Sequence, residues 1–169
     1  MNHNLLSDRA AKFVQLAIEA GGKIMEIYAT DFVAQIKSDQ SPVTLADEQA
    51  EAIITNGLKR YWPKIPIIAE EDAAAGQIPQ VQNQFFLVDP LDGTKEFLSR
   101  NGEFTVNIAL IENGVPVLGV VYAPALHHIY FGEHGNGSFH ASTKNSKLQC
   151  RHANRIAHPQ PSLLNLAPL

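Results

Sequence analysis

The first sixty residues alternate apolar and polar positions with the period of a helix. Apolar side chains recur every three or four residues up to about Ala29, and Asn4 or Ser7 stands where a helix N-cap is expected. A second such stretch begins near Thr44 and ends before Pro63, whose ring is incompatible with a helix interior. The pattern therefore predicts two amphipathic helices, each burying one face.

Between and within these helices the pattern changes. The pair Gly21-Gly22 weakens the middle of the first helix, and such a pair is more typical of close helix packing than of catalysis. Residues Phe32–Ile36 have the composition of a strand, followed by a polar loop. We therefore expect one short strand between the two helices.

Strand-like runs dominate from Ile65 onward. Two short apolar runs, Ile65–Ala69 and Phe85–Val88, predict buried strands. Pro90 has no backbone N–H and a fixed φ, so we expect the chain to turn out of the sheet after Val88.

Three later runs alternate as strands do and are joined by short turns. Phe104–Ile111 and Val115–Tyr122 flank Asn113-Gly114, and Asn-Gly between such runs is a strong hairpin signal. His128–Phe131 and a glycine-rich turn leading into Ser138–His140 extend the pattern to an antiparallel meander. Helices followed by consecutive strands indicate an α+β protein, with helices packed on a largely antiparallel sheet.

Composition is that of a soluble globular protein. The 169 residues are 45% hydrophobic and 18% charged, and no apolar run reaches the roughly 18 residues that span a bilayer. The N-terminus has no basic segment followed by an apolar one, and the single cysteine, Cys150, cannot form an internal disulfide. These features predict a cytoplasmic protein.

Charge is unevenly distributed along the chain. The net charge is −4, and all 17 acidic residues precede His134, whereas the basic residues Lys144, Lys147, Arg151 and Arg155 follow it. An acidic body argues against binding of a nucleic-acid duplex, because phosphate contacts need a basic surface. A small anionic substrate stays compatible with this charge if metal ions invert the local sign.

Each of the two buried runs ends in carboxylates. Glu70-Glu71-Asp72 follows the first run, and Asp89 and Asp92 follow the second. Neighbouring strands would bring these acids to one edge of the sheet, where they repel one another unless a cation lies between them. Carboxylates without cysteine or clustered histidine ligands favour Mg²⁺ or Mn²⁺ over Zn²⁺. The alternative from the residues alone is an acidic surface turn.

A phosphate-binding feature follows the acids directly. Gly93 permits a tight backbone, and Thr94 is a good N-cap for a short helix through Leu98, whose free N–H groups attract phosphate. Carboxylates, a hard cation and a phosphate site together predict metal-assisted phosphoryl chemistry.

These residues also carry a family resemblance. Asp89–Thr94 with the upstream Glu70-Glu71 resembles the signature of the inositol-monophosphatase superfamily of Mg²⁺-dependent, lithium-sensitive phosphatases. The segments Lys95–Phe97, Asn101–Leu110 and Gly119–Pro124 resemble the CysQ-type 3'(2'),5'-bisphosphate nucleotidase branch of that superfamily. The resemblance implies the layered α/β sandwich of the inositol-monophosphatase type.

The resemblance implies overlapping sets of site residues. The expected Mg²⁺ ligands are Glu70, Asp89, Asp92 and the backbone carbonyl of Leu91. Asp47 and Thr94 would position and activate the attacking water. The expected substrate contacts are Glu70, Leu91, Asp92, Gly93 and Thr94.

Three acids and bases have weaker or double assignments. Asp47 stands three residues after Thr44, the spacing of a helix capping box, so a structural role stays open beside the catalytic one. Glu71 is expected to support the ligands rather than bind the metal. Lys95 is expected to help distinguish a nucleotide substrate.

The activity implied by the resemblance is removal of the 3'-phosphate of 3'-phosphoadenosine 5'-phosphate, giving AMP and phosphate without a covalent intermediate. Hydrolysis of inositol 1-phosphate or fructose 1,6-bisphosphate is the alternative within enzymes, which Lys95–Phe97 disfavours. The alternative of a different class is a metal-binding fragment without turnover. The resemblance leaves open peripheral association with the cytoplasmic face of the inner membrane, and the oligomeric state stays open.

The resemblance fades towards the C-terminus. We expect residues 1–140 to form the N-terminal metal- and phosphate-binding domain and residues 141–169 to be a divergent, poorly ordered tail. The family carries a second α/β domain here, with a Trp-Asp segment whose aspartate completes the metal site, and this sequence has no such segment. We therefore expect impaired turnover and an exposed apolar surface that favours pairing with another chain.

The histidines give no metal signal in the sequence. His127 and His128 are adjacent, and adjacent residues on a strand face opposite ways, so they do not chelate together easily. His134, His140, His152 and His158 lack regular ligand spacing.

Overall fold

Two long helices precede a six-stranded sheet in residues 6–30, 42–74, 76, 79–81 and 83–143, the part of the chain that this computed structural model describes. The helices are α1 (Asp8–Tyr28), α2 (Pro42–Tyr61), α3 (Glu70–Ala74) and α4 (Thr94–Leu98). The strands are β1 (Ile67–Ala69), β2 (Gln84–Asp92), β3 (Thr105–Glu112), β4 (Val115–Ala123), β5 (His128–Glu133) and β6 (Gly137–Ser142). The strand expected at Phe32–Ile36 and most of the expected tail, from Lys144 on, lie outside the described residues.

The sheet follows chain order from β1 to β6. Among the described strands, β1 and β2 pair in parallel and the other four pairs are antiparallel. The β3–β4 hairpin closes on Asn113 and Gly114, whose φ angles of 51° and 78° are those that a two-residue hairpin turn requires. The predicted α+β class and the predicted meander are therefore confirmed.

Both long helices pack on one face of the sheet. The Ser7 hydroxyl caps α1 by accepting a hydrogen bond from the Ala10 N–H at 3.1 Å, which decides between the two expected caps. The buried Phe13 of α1 contacts Trp62 and Phe86 edge-on, with ring centroids 5.8 Å apart in each pair. α2 begins at Pro42, slightly earlier than expected, because proline is tolerated in a first helical turn.

A buried carboxylate on β5 ties the start of α1 to the sheet. Glu133 of β5 lies 3.3 Å from the Arg9 guanidinium and also accepts a hydrogen bond from the Asn136 amide. Burial raises the pKa of Glu133, but hydrogen bonds from Ser7, Asn136 and Arg9 outweigh it and hold the pKa below its usual value. The contact fixes where α1 enters the core.

Two glycines allow the helices to approach their neighbours closely. A Cβ at Gly21 would lie 2.4 Å from the Tyr122 ring, and a Cβ at Gly57 would lie 2.1 Å from Leu16. Gly22, by contrast, is exposed and has nothing within 4 Å of its Cβ position. Close packing, expected for the glycine pair, is thus confirmed at Gly21 alone.

The opposite face of the sheet is not covered by any element within the described residues. Leu87, Val121 and Tyr130 point there and are 41%, 43% and 42% exposed. Gly119 and Gly132, which are register partners, line a groove on this face. The expected apolar sheet surface is therefore present in the described part of the chain.

No helix in the described residues has both the length and the apolarity to cross a membrane.

The two adjacent glycines of α1 give a matched test of the packing. We expect Gly21→Ala to lower the free energy of unfolding by about 1–2 kcal/mol, since overpacking against the buried Tyr122 ring outweighs the gain in helix propensity. Gly22→Ala should raise it by about 0.5–1 kcal/mol, because alanine is the better helix former at an open position. Urea unfolding measures both, and equal effects of the two substitutions would contradict the packing described.

Candidate metal and phosphate site

The parallel pair β1–β2 brings two acids to one edge of the sheet. Ala69, the last residue of β1, is in register with Val88 of β2, so the residues that follow, Glu70 and Asp89, are neighbours. Parallel strands end at the same edge, which is the reason that both carboxylates arrive together. The expected convergence of these two acids is confirmed.

A bulge in β2 brings Asp92 to the same edge. Asp89 pairs with Asn107 and Asp92 pairs with Thr105, so β2 contains one residue more than β3 between these two pairs. In a regular strand, residues three apart face opposite sides, and one extra residue restores the same side. The Asp92 carboxylate accordingly accepts a hydrogen bond from the Asn107 amide at 3.3 Å.

The expectation that the chain leaves the sheet after Val88 was wrong. β2 continues through Pro90 to Asp92. The proline lies within the bulge, where the regular ladder is already interrupted, so its missing N–H does not end the strand.

Asn107 is a site residue that the sequence reasoning missed. It stands directly opposite Asp89 on β3 and donates to Asp92, and its buried Oδ1 has no hydrogen-bond partner among the residues that the structure describes. The available signal was one amide among the apolar residues of a strand. Nothing in the sequence says which residue a strand position faces, so the signal could not be interpreted without the register.

The proximity of the acids perturbs the ionisation of Asp89. Burial raises the pKa of Asp89 from 3.8 to about 7, helped by a hydrogen bond with Glu70 and by the charges of Glu70 and Asp92. A backbone hydrogen bond at Leu91 opposes the rise. Without a cation, Asp89 therefore keeps its proton up to about pH 7 and shares a hydrogen bond with Glu70.

Two buried oxygen atoms at this edge are suited to bind a ligand. Within the described residues, Asp89 Oδ1 and Asn107 Oδ1 have no hydrogen-bond partner, a state that is costly unless a ligand satisfies them. No group of three or more His, Cys, Asp or Glu side chains among the described residues is arranged to hold a metal ion. The expected ligand set of Glu70, Asp89, Asp92 and the Leu91 carbonyl thus stays a prediction, and the Glu71 side chain lies outside the described part.

Gly93 forces the chain into the short helix α4. Its φ of 95° lies in the left-handed region, and a Cβ there would lie 3.0 Å from the Glu103 carbonyl oxygen. Thr94 is the first residue of α4 and Gly93 its N-cap, which corrects the expected cap by one residue. The reason is that the Gly93 carbonyl already accepts the first helical hydrogen bond, from the Phe97 N–H at 2.9 Å.

An aromatic cluster holds α4 in place. Phe97 is fully buried, with ring centroids 5.2 Å from Tyr28 and 5.3 Å from Phe104. Beyond α4, the Arg100 guanidinium donates to the Tyr28 carbonyl at 3.0 Å. The C-terminal half of α4 is therefore anchored to α1 and to Phe104.

The two expected catalytic residues lie on elements that touch. Asp47 is 9% exposed on α2, Thr94 is exposed at the start of α4, and α2 contacts α4. Their pairing around a water stays a prediction.

A groove of about 540 Å³ opens beside the acids. It begins at Glu70, Asp89 and Asn107 and crosses the uncovered face of the sheet past Val121 to Tyr130. Its walls are largely apolar away from the acids, so it offers room for a ligand whose charged end lies at Glu70 and Asp89.

Comparison with known proteins gives one family. The inositol monophosphatase family model matches residues 6–164. The 3'(2'),5'-bisphosphate nucleotidase CysQ of Salmonella typhimurium is 49% identical over 141 residues, and that of Escherichia coli strain K12 is 46% identical over 143 residues. Each alignment covers 82% of this chain, and the chain spans 57% of the length of these curated relatives.

Solved structures agree with this similarity. The crystal structure of CysQ from Bacteroides thetaiotaomicron matches with a TM-score of 0.68 and 41% identity, over 79% of this chain and 49% of that chain. An inositol monophosphatase from Anabaena matches with a TM-score of 0.65 and 29% identity, over 78% of this chain and 46% of that chain. The predicted fold type and family resemblance are both confirmed.

The raised pKa of Asp89 predicts how stability depends on pH in the metal-free protein. Because the folded-state pKa of about 7 exceeds the ordinary 3.8, the favourable contribution of protonated Asp89 is complete below pH 3.8 and is lost as the pH rises through 7. Asp89→Asn cannot ionise, so we expect it to be more stable than the parent above pH 7, with the difference shrinking towards pH 4.

Urea unfolding between pH 4 and 8 in chelator measures this difference. Asp72→Asn is the matched control, because Asp72 is an exposed acid on α3 near the same edge. A difference for Asp89→Asn that is constant with pH, or that grows as the pH falls, would contradict the prediction.

Proposed function

The chain belongs to the inositol monophosphatase family, and from this premise we propose that it is a Mg²⁺-dependent phosphatase. Its proposed reaction removes the 3'-phosphate of 3'-phosphoadenosine 5'-phosphate by attack of water, giving AMP and phosphate. The observation that carries the proposal is the meeting of Glu70 and Asp89 at the ends of two parallel strands. Such a pair of partly buried acids is stabilised by a hard cation.

The proposed ligands are Glu70, Asp89, Asp92 and the Leu91 carbonyl. When bound, the cation supplies activation of water and neutralisation of charge on the leaving oxygen. The buried Asp89 Oδ1, which has no hydrogen-bond partner in the described part of the chain, supports the place of Asp89 in this set.

The chain's own residues would orient the reactants. Thr94 and Asp47 are proposed to hold the attacking water. Asp47 is proposed to accept the proton that this water loses. The N–H groups of Gly93 and Thr94 are proposed to donate to the phosphate. The burial of Phe97 supports this role, because it holds the short helix that begins at Thr94 against the core.

Asn107 is proposed to act through Asp92. Its amide holds one Asp92 oxygen by the 3.3 Å hydrogen bond, which leaves the other oxygen to face the cation. This role predicts weaker Mg²⁺ binding on removal of the amide.

The bisphosphate nucleotide is favoured over the other substrates of the family. Relatives named as 3'(2'),5'-bisphosphate nucleotidases reach 46–49% identity, whereas the solved inositol monophosphatase from Anabaena is 29% identical. Lys95, exposed next to Thr94, offers a positive charge for the second phosphate. Inositol 1-phosphate and fructose 1,6-bisphosphate are the substrates against which this preference is compared. We also propose a cytoplasmic location.

Phosphate release tests the proposal. We expect the purified chain to release phosphate from 3'-phosphoadenosine 5'-phosphate in Mg²⁺, and Asp92→Asn to lower the rate roughly a hundredfold, since a charged contact made in the transition state is worth about 3 kcal/mol. Asp72→Asn, at an exposed acid outside the ligand set, should leave the rate unchanged. Asn107→Ala should weaken Mg²⁺ binding measured by calorimetry.

Three outcomes separate the alternatives. Faster release from inositol 1-phosphate or fructose 1,6-bisphosphate would reassign the substrate. Mg²⁺ binding without release from any of the three would identify a metal-binding polypeptide without turnover. A full-length relative is assayed in parallel as the reference, because this chain spans 57% of the length of its curated relatives. We expect the turnover number of the 169 residues alone to be at least a hundredfold lower than that of the full-length relative. Equal rates in the parent and Asp92→Asn would contradict the ligand assignment.

A further inference from the structure

Two histidines from neighbouring strands face each other outside the acidic site. His128 begins β5 and His140 lies on β6, and their register partners are Ser142 and Tyr130. The two imidazoles are thus diagonal neighbours on the same face of an antiparallel pair, a separation that long side chains bridge. His128 Nδ1 and His140 Nε2 lie 2.8 Å apart.

The rings are held in a defined arrangement. The Tyr130 ring stacks on His140, with centroids 4.5 Å apart and planes 15° from parallel, while the His128 and His140 rings are tilted by 38°. Both strands are paired through their whole length, so the Cα positions of the two histidines are fixed. A change in the distance between the two rings therefore requires side-chain rotation and no movement of the strands.

We propose that His128 and His140 form a chelating pair for a divalent transition-metal ion such as Zn²⁺, Ni²⁺ or Cu²⁺. Two imidazole nitrogens that each lie about 2.0–2.1 Å from one ion are roughly 2.9–3.4 Å apart for angles between 90° and 109°. The observed 2.8 Å lies about 0.1 Å below the lower end of that range. Water would complete the coordination, since the pair supplies two ligands.

The proton balance of this binding is simple. In the hydrogen-bonded pair one ring donates its N–H and the other accepts, so one of the two facing nitrogens carries the proton. For both to bind a metal, the donor ring moves that proton to its other nitrogen. The change is a tautomer shift, and a neutral pair binds the ion without a net loss of protons.

This site is distinct from the acidic one in place and in chemistry. The residues Asp89, Asn107, Val121, Tyr130 and His140 form one register row across the sheet. Four strand spacings of about 4.8 Å place the His140 backbone roughly 19 Å from that of Asp89. Imidazole ligands favour Zn²⁺, Ni²⁺ and Cu²⁺, whereas carboxylates favour Mg²⁺, so the two sites select different ions.

Titration of the full chain with Zn²⁺, followed by calorimetry, tests the proposal. We expect His128→Asn and His140→Asn each to weaken the same single site by about tenfold or more, because even an outer partner of a metal ligand is worth about 10–100-fold. The double variant should lose this one site completely and no second site, since the two ligands share it. His127→Asn is the matched control: it removes the adjacent imidazole at a positive φ that asparagine tolerates.

Each outcome decides the matter. Retained affinity in either single variant, loss of two sites in the double variant, or an equal loss in His127→Asn would overturn the proposal. Thermal unfolding of each variant without metal checks that the substitutions leave the fold intact. Asp92→Asn should keep Zn²⁺ binding at the pair while weakening Mg²⁺ binding, so failure here and failure of the proposed phosphatase function give different results.

Discussion

The parallel pairing of two strand ends is the constraint on which the candidate site depends. Because β1 and β2 finish at the same edge, Glu70 and Asp89 meet in a partly buried position. Two carboxylates there cannot both be ionised cheaply, and the raised pKa of Asp89 expresses that cost. A proton or a cation relieves that cost, which is the argument for the proposed cation site, and the pair of acids by itself adds no stability.

The surrounding structure keeps the acids in this costly position. The bulge turns Asp92 to the same side, and the Asn107 amide holds it there. Gly93 makes a turn that a side chain would obstruct, and buried Phe97 anchors the helix that follows. Site residues that are held by packing rather than by loops suit a reaction that needs fixed geometry.

The two faces of the sheet have different roles. One face carries both long helices, with Gly21 and Gly57 allowing contacts that larger residues would prevent. The other face carries the groove, the acids at one end and the His128–His140 pair towards β6. The buried core therefore lies on the helical face, and the acids, the groove and the histidine pair lie on the face that the described residues leave open.

The sequence by itself determined the features that depend on residues close to one another along the chain. The helical period of α1 and α2, the turn at Asn113-Gly114 and the acids after two apolar runs are all local, so they could be predicted. Strand register is not local, since it depends on which segments pair across the whole sheet. For that reason the position of Asn107 opposite Asp89, the meeting of His128 and His140, and the continuation of β2 through Pro90 were decided only by the tertiary structure.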